Sequence, residues 1–397
     1  MGKTLHTGSA AMDKRIRRHV IGRMRDYYAV ATPGLSAICR QELIDLGLKC
    51  HPSSAKPGGV EFKGRFVDCQ RVNLCHRSAT RILMRIDTFT ATNPRQLNRN
   101  CAQIPWELFL PAGPLPKINV SSRRSRLYHT DLIADSVREG LAARLGTSSA
   151  SPPTGFAQTL LVRLANDQAT LSLDSSGDAL YKRGLKGGAA RAPLRETLAA
   201  AILVMVGYDR RRPLVDPMCG SGTFSLEAAM MAKQMAPGAH RNFAFMGWPA
   251  FHDGQWNYLK QEAEAAVHHM EQPLIFASDV DSVACEQLAV HITASGLSDA
   301  ISVAQGNFFD CAGDRYGGGP GLVAINPPYG IRIGEAADAD VLFGRICRHL
   351  QQAFRGWDVA LIAPERKYLK TIPFPVRRVP LTHGGLNVTL CLGTIKA

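Results

Sequence analysis

Long apolar runs are missing from this sequence. No stretch of about 18 or more apolar residues occurs, so no membrane-spanning helix is expected. With 45% apolar and 20% charged residues, the composition is that of a soluble globular chain, expected in the cytoplasm. Cysteine pairs are missing too. Ten cysteines (39, 50, 69, 75, 101, 219, 285, 311, 347 and 391) include no Cys-x-x-Cys pair and no metal-like Cys/His cluster. That argues against a disulfide framework and against a metal site, and predicts reduced, mostly buried thiols. No internal repeat is present.

Acidic residues are scarce in the first part of the chain. Residues 1–175 hold 25 Lys+Arg against 13 Asp+Glu, a net of +12, while residues 176–397 hold 22 against 20, a net of +2. A front so charged is suited to meet a polyanion; a solvated basic face without a partner is the plainer alternative. Residues 1–26 are Arg-rich, poor in acids and lack the apolar core of a secretory signal. They read as a basic flexible tail, either a nucleic-acid-binding arm or a transit peptide.

At 397 residues the chain is long enough for two or three cores. Residues 27–87 show a β-α-β-α-β order with short connections, which predicts a ferredoxin-like α+β domain. Residues 88–175 form a second α+β unit. It has a strand at 118–120, a basic turn (Arg123, Arg124, Arg126, with His129), a helix, and a hairpin with Asn166 and Asp167 in its turn. From 176 to 397 strands alternate with helices, the mark of a parallel α/β sheet. The expected strands are 213–216, 274–279, 301–306, 322–326 and 357–364, followed by an antiparallel pair around His383.

Two stretches of this last part carry chemistry. In "PLVDPMCGSGTFSLEAAMMA", Gly220-Ser221-Gly222 lies between a strand and a helix, where backbone can approach a ligand and unpaired N–H groups are on offer. The loop nearly matches a dinucleotide fingerprint. That fingerprint needs an acid about 20 residues on, at the end of the next strand, whereas here the next strand ends only at Asp279. Asp216 at the first strand's end suits a cation, such as the amino or sulfonium side of S-adenosylmethionine. A Gly-rich corner with no ligand is the alternative.

The second stretch is "VAINPPYG". Asn326-Pro327-Pro328-Tyr329 ends the fourth strand, at the edge where open α/β sheets bind ligands. The prolines fix the main chain and remove competing N–H groups. The Asn326 amide oxygen and the Pro327 carbonyl can then accept both hydrogens of an exocyclic amine, and Tyr329 offers a flat face for a base turned out of its stack. A rigid turn with Asn326 capping a strand end is the alternative.

Taken in order, "YKRGLKGGAARAPLRETLAAAIL", "DPMCGSGTFSLEAAMMA", "FASDVD" and "INPPYG" resemble the THUMP-domain RNA guanine-N2 methyltransferases. The front, from "YYAVATPGLSAICRQELIDLGLK", is similar to their ferredoxin-like domain followed by THUMP. The resemblance covers about residues 27–397. It implies an α/β fold: a Rossmann-like S-adenosylmethionine-dependent methyltransferase domain (176–397) behind ferredoxin-like (27–87) and THUMP (88–175) α+β domains.

It further implies S-adenosyl-L-methionine as cofactor, held by Thr197, Asp216, Pro217, Cys219, Gly220, Ser221, Gly222, Asp279, Val280, Asn307, Phe308 and Asn326. Within that set Asp279 would bind the ribose hydroxyls and Asn307 with Phe308 would flank the adenine. The catalytic set would be Asn326, Pro327, Pro328 and Tyr329. Arg123, Arg124 and Arg126 would touch a structured RNA, rRNA in preference to tRNA, with neither DNA nor membrane as partner. The larger bacterial members carry a second methyltransferase domain after the first, which these 397 residues do not include. A stand-alone chain of this layout also occurs among tRNA-modifying relatives, so the resemblance leaves a tRNA guanine-N2 methyltransferase as the alternative. Two other readings stand beside this one: an RNA-binding assembly factor whose catalytic domain has decayed, and a nicotinamide-dependent oxidoreductase, which the misplaced acid disfavours.

Overall fold

A computed structural model describes residues 4–51, 58–146, 155–185, 194–317, 319–328, 336–363, 366–383 and 385–396. Two compact units partition the chain: residues 1–31, 39–180 and 241–262 form the first, and 32–38, 181–240 and 263–397 the second.

In the first unit, helix α1 (Thr4–Ile16) precedes β1 (Arg25–Ala31), where Tyr27, Ala29 and Ala31 point inward in strict alternation. There follow α2 (Ser36–Asp45), β2 (Lys49–Cys50), β3 (Gly59–Gly64), α3 (Phe66–Cys75) and β4 (Ala79–Thr90). Gly47, at φ +81°, ends the turn after α2. Then come α4 (Pro94–Gln103), β5 (Lys117–Arg123), α5 (Thr130–Leu145), β6 (Thr159–Ala165) and β7 (Gln168–Asp174). Asn166 and Asp167 both adopt positive φ in the β6–β7 turn, as a two-residue hairpin turn requires.

These strands make one sheet in the order β2-β3-β1-β4-β7-β6-β5. All neighbours are antiparallel except β5 and β6. The two α+β units expected over 27–87 and 88–175 thus share a sheet. The reason is that β4 runs on to Thr90 and pairs with β7 from Leu83 to the end.

The expected flexible tail also differs. Residues 4–16 are helical, a π-helical turn spans Arg17–Ile21, and Ile16 and Val20 are buried. Arg15 pairs with Glu107 at 3.0 Å. Hydrogen bonds from Arg144 and then from Arg15 hold the Glu107 carboxyl down at about 2. Arginines that read as a solvated arm in sequence are in part spent on packing and ion pairing.

In the second unit, α6 (Glu196–Val206), β8 (Leu214–Asp216) and α7 (Thr223–Ala232) lead to an insertion containing α8 (Asp253–Ala265). Most of that insertion, 241–262, belongs to the first unit. Its aromatic residues explain why: Phe66 meets Phe245 edge-on at 6.2 Å and stacks on Trp248 at 5.8 Å, while Trp248 Nε1 donates to Gln158 Oε1 at 2.7 Å. The chain then resumes the second unit with β9 (Ile275–Asp279), α9 (Ser282–Ala294), β10 (Ile301–Gln305), β11 (Leu322–Ile325), α10 (Ala336–Ala353), β12 (Asp358–Ala363), β13 (Arg377–His383) and β14 (Leu386–Thr394).

The second sheet has the order β10-β9-β8-β11-β12-β14-β13. Its first five strands are parallel and β14 runs antiparallel between β12 and β13. Strand order reverses at β8, between β9 and β11. In open α/β sheets that switch point, at the carboxyl ends of the strands, is where ligands bind.

Candidate functional site

At the carboxyl end of β8 the chain turns through Pro217–Gly222 into α7. Gly220 (φ +49°) and Gly222 (φ +70°) are both in the left-handed region. A Cβ on Gly220 would meet nothing within 4 Å, so the space above the loop is open. A Cβ on Gly222 would lie 2.3 Å from Leu288 Cδ1, so that glycine lets α9 pack against the loop. Gly222→Ala is therefore expected to lower stability by about 1–3 kcal/mol through strain and overpacking, read as a fall in the urea midpoint.

Asp279, at the end of β9, closes the loop from the other side. Its Oδ2 accepts from Gly220 N at 2.8 Å and its Oδ1 from Asp281 N at 3.1 Å. Each carboxylate oxygen has room for a further donor. Val280, next along, leaves its apolar side chain 66% exposed. The loop and the acid expected from sequence, 59 residues apart, are thus brought into direct contact.

Asp216 is buried, and its Oδ2 accepts from Ser225 Oγ at 2.8 Å and from Ser225 N at 3.2 Å. An acid expected to face a cation is therefore also tied to the first turn of α7, where a negative charge suits the helix N-terminus. Ser225 was not visible as a site residue, because a serine inside an apolar helix gives no local signal. Cys219 is buried, and burial pushes its thiol well above the usual range. It is a wall of the loop and no nucleophile. Pro217 is buried and Ser221 half-buried, its Oγ 3.4 Å from Thr223 Oγ1.

Of the pair expected beside an adenine, Asn307 is exposed and its Oδ1 accepts from Phe309 N at 3.1 Å. Phe308 departs from the expectation. Its ring is buried against His349 at 4.7 Å and Phe354 at 6.0 Å, so only its backbone can face a ligand. The short helical turn Phe308–Asp310 decides which phenylalanine enters the core.

Beyond β11, Asn326 is half-buried, Pro327 buried and Pro328 half-buried. The Asn326 Oδ1 atom is buried and finds no hydrogen-bond donor among the described residues. Such an atom costs about 1–3 kcal/mol unless something is meant to satisfy it. On α6, the buried Thr197 Oγ1 is likewise without a partner among the described residues. Tyr329, expected to offer a flat face to the base, lies outside the described residues, as does Arg332, which sequence leaves open between an RNA phosphate and a pairing with Glu335.

In the first unit, Arg123, Arg124 and Arg126 are exposed where β5 ends, with Arg124 at φ +51°. Asp167 anchors the turn by accepting from Arg126 N at 2.7 Å. Tyr128, 68% exposed, lies against the His129 ring at 4.1 Å. An aromatic beside three exposed arginines is a nucleic-acid signal, and it adds Tyr128 to the basic turn expected from sequence.

Comparison with known proteins bears on this arrangement. Residues 183–388 match the family described as RMKL-like, methyltransferase domain, and residues 26–83 match the RlmL ferredoxin-like domain. The chain is 35% identical over 351 residues to Ribosomal RNA large subunit methyltransferase K/L of Methylococcus capsulatus, covering 85% of this chain and 47% of that protein. It thus spans about half the length of that curated relative. A Putative RNA methyltransferase of Synechocystis sp. is 32% identical over 92% of this chain and 96% of its own. A crystal structure of a putative methyltransferase complexed with SAH superposes with a TM-score of 0.83 at 27% identity, covering 94% of this chain and 99% of that one.

Proposed function

The chain belongs to the RMKL-like methyltransferase family, and from that premise we propose that it methylates the exocyclic N2 amine of a guanine in structured RNA, with S-adenosyl-L-methionine as donor. Large-subunit rRNA is the favoured substrate, because relatives named for that RNA match most of this chain. No helix among the described residues is long and apolar enough to cross a membrane, and a ribosomal substrate would place the reaction in the cytoplasm.

The observation that carries the reading is the buried Asn326 Oδ1 at the switch-point edge, which has no hydrogen-bond donor among the described residues. An acceptor there, followed by a proline carbonyl, fits a group with two hydrogens on one nitrogen. A guanine N2 amine is a weak nucleophile, since its lone pair is delocalised into the ring. Two acceptors draw its hydrogens to one side and leave the lone pair turned the other way, so orientation and electrostatics replace a strong base.

The residues present also fit the donor. Gly220 leaves open space over the loop, Asp279 keeps acceptor capacity for a ribose diol, Val280 offers an apolar face for an adenine, and the Thr197 hydroxyl has no partner among the described residues. When bound, S-adenosyl-L-methionine supplies an electrophilic methyl group on a sulfonium. Asp216 would add negative charge near that cation, held in place by Ser225.

Tritium from labelled S-adenosyl-L-methionine should enter unmodified rRNA as N2-methylguanosine. Nucleoside mass spectrometry of cells lacking the protein should show that nucleoside falling in the rRNA pool. A fall confined to tRNA would move the substrate there, and no transfer to any bound RNA would favour an assembly factor.

The basic turn is proposed as part of the RNA grip. Neutralising Arg123, Arg124 and Arg126 together should make the plot of log affinity against log salt shallower by about two to three. Filter binding at several salt concentrations measures this, and an unchanged slope would place the phosphate contacts elsewhere.

A further inference from the structure

The first unit contains a cleft of about 700 Å³ between the start of β1, the outer half of β4 and the segment from α4 to Phe109. That volume lies in the range of pockets for small ligands. It is lined by Arg23, Arg25 and Arg85 among its cations, with Met24, Phe89 and Phe109 among its apolar groups. None of these residues belongs to the site or to the basic turn described above.

The two inner arginines are fixed in place. Arg25 lies over the Phe109 ring at 4.6 Å and donates through Nη2 to His19 O at 2.6 Å, while its Nε is buried with no partner among the described residues. Arg85 lies over the Tyr28 ring at 4.5 Å, donates to Ser172 Oγ at 2.9 Å and pairs with Glu61 at 3.4 Å, so its charge is largely answered within the fold and Arg23 and Arg25 are left for a ligand. Arg23 is exposed at the rim, and Met24 is 52% exposed despite being apolar.

Two acids line the cleft, and both are engaged. Asp87 Oδ1 accepts from Thr88 N at 2.8 Å, and Asp26 lies 3.8 Å from Lys63. Asn100 and Gln103 on α4 add amide donors and acceptors, and Arg95 and Arg99 of the same helix are exposed. A cleft with an exposed guanidinium at its rim, a half-buried one within, amides and an accessible apolar wall combines the features that take a phosphate and a base together. Its size excludes a double helix.

We propose that this cleft binds one or two unpaired nucleotides of the RNA substrate, with Arg23 and Arg25 taking a backbone phosphate and Met24 and Phe89 supplying apolar contact to a base. The inference rests on the reading of the chain as an RNA methyltransferase and deepens it: the RNA must carry a single-stranded segment in addition to its target guanine.

The test uses the full chain with two fluorescent probes, a short single-stranded RNA of mixed sequence and a fully paired hairpin of equal length. Arg23→Glu combined with Gln103→Glu alters only exposed rim positions, and Phe89→Ala trims the wall. Each change should weaken single-strand binding by about tenfold and hairpin binding by less than about twofold, with unchanged affinity for S-adenosyl-L-methionine. Equal weakening of both RNAs would reduce the cleft to a general basic face, and unchanged single-strand affinity would overturn the proposal outright. Wild-type binding without methyl transfer to any RNA would count against the enzyme reading alone, so the two failures are distinguishable.

Discussion

Replacing Asn326 by alanine is expected to lower methyl transfer by about 10³-fold while leaving affinity for S-adenosyl-L-methionine within about twofold. The magnitude follows from what the side chain does. An amide that orients a weak nucleophile and stabilises charge as it develops acts on the chemical step, and losses of about 10²–10³ are usual for one such group. The same substitution should leave stability unchanged or raise it slightly, because it removes a buried acceptor that has no donor in the described structure. Asn326→Asp keeps an acceptor at that position and should retain more activity than Asn326→Ala. Single-turnover transfer, calorimetric cofactor titration and thermal unfolding measure the three quantities. Transfer undiminished in the alanine variant would sink the proposed role.

That site was readable in sequence where local patterns coincide with tertiary ones. Gly220 and Gly222 lie in the loop that follows β8 and Asn326 directly follows β11, and a strand end in a parallel sheet has one place to go. Asp279 was found 59 positions after Gly220 despite the insertion, because the strand that carries it is a continuous apolar run. Where packing decides between equivalent residues, sequence was silent. "QGNFFD" holds two phenylalanines, and only the turn that follows sends Phe308 inward. Ser225 looks like any helical serine until Asp216 is set beside it.

The fold shows the same division. Every strand of the second sheet was legible, the central ones from apolar runs and β13 with β14 as a pair around His383. The union of the first seven strands into one sheet was not, because it depends on Thr88–Thr90, whose alternating polar residues extend β4 past the point where its apolar pattern fades. The stretch from Phe243 to Trp256 is visible in sequence as a Trp- and Phe-rich insertion between the glycine loop and the strand of Asp279, but its place beside Phe66 needed coordinates. The nucleotide cleft is drawn from three segments distant in sequence, so no motif announces it.

The largest expected loss of stability is at Glu227, on the buried face of α7. Its carboxylate takes Arg183 in a two-point ion pair, Nε to Oε1 at 2.8 Å and Nη2 to Oε2 at 3.4 Å, with both side chains almost wholly buried. A pair removed from water contributes little net stability when whole, since desolvation offsets most of the attraction. Breaking it is different, because the surviving charge stays buried with its principal counter-charge gone. Glu227→Ala is therefore expected to cost about 3–5 kcal/mol, whereas the double change Arg183→Met with Glu227→Leu should cost less than Glu227→Ala alone. Urea unfolding followed by a probe in the second unit measures both. The pair also ties Arg183 to α7, the helix that begins directly after the glycine loop, and is expected to steady the proposed cofactor site. If it does so, Glu227→Gln, which keeps the shape and one acceptor, should raise the dissociation constant for S-adenosyl-L-methionine even at temperatures where the variant remains folded. A destabilised variant with wild-type cofactor affinity would confine the pair to stability.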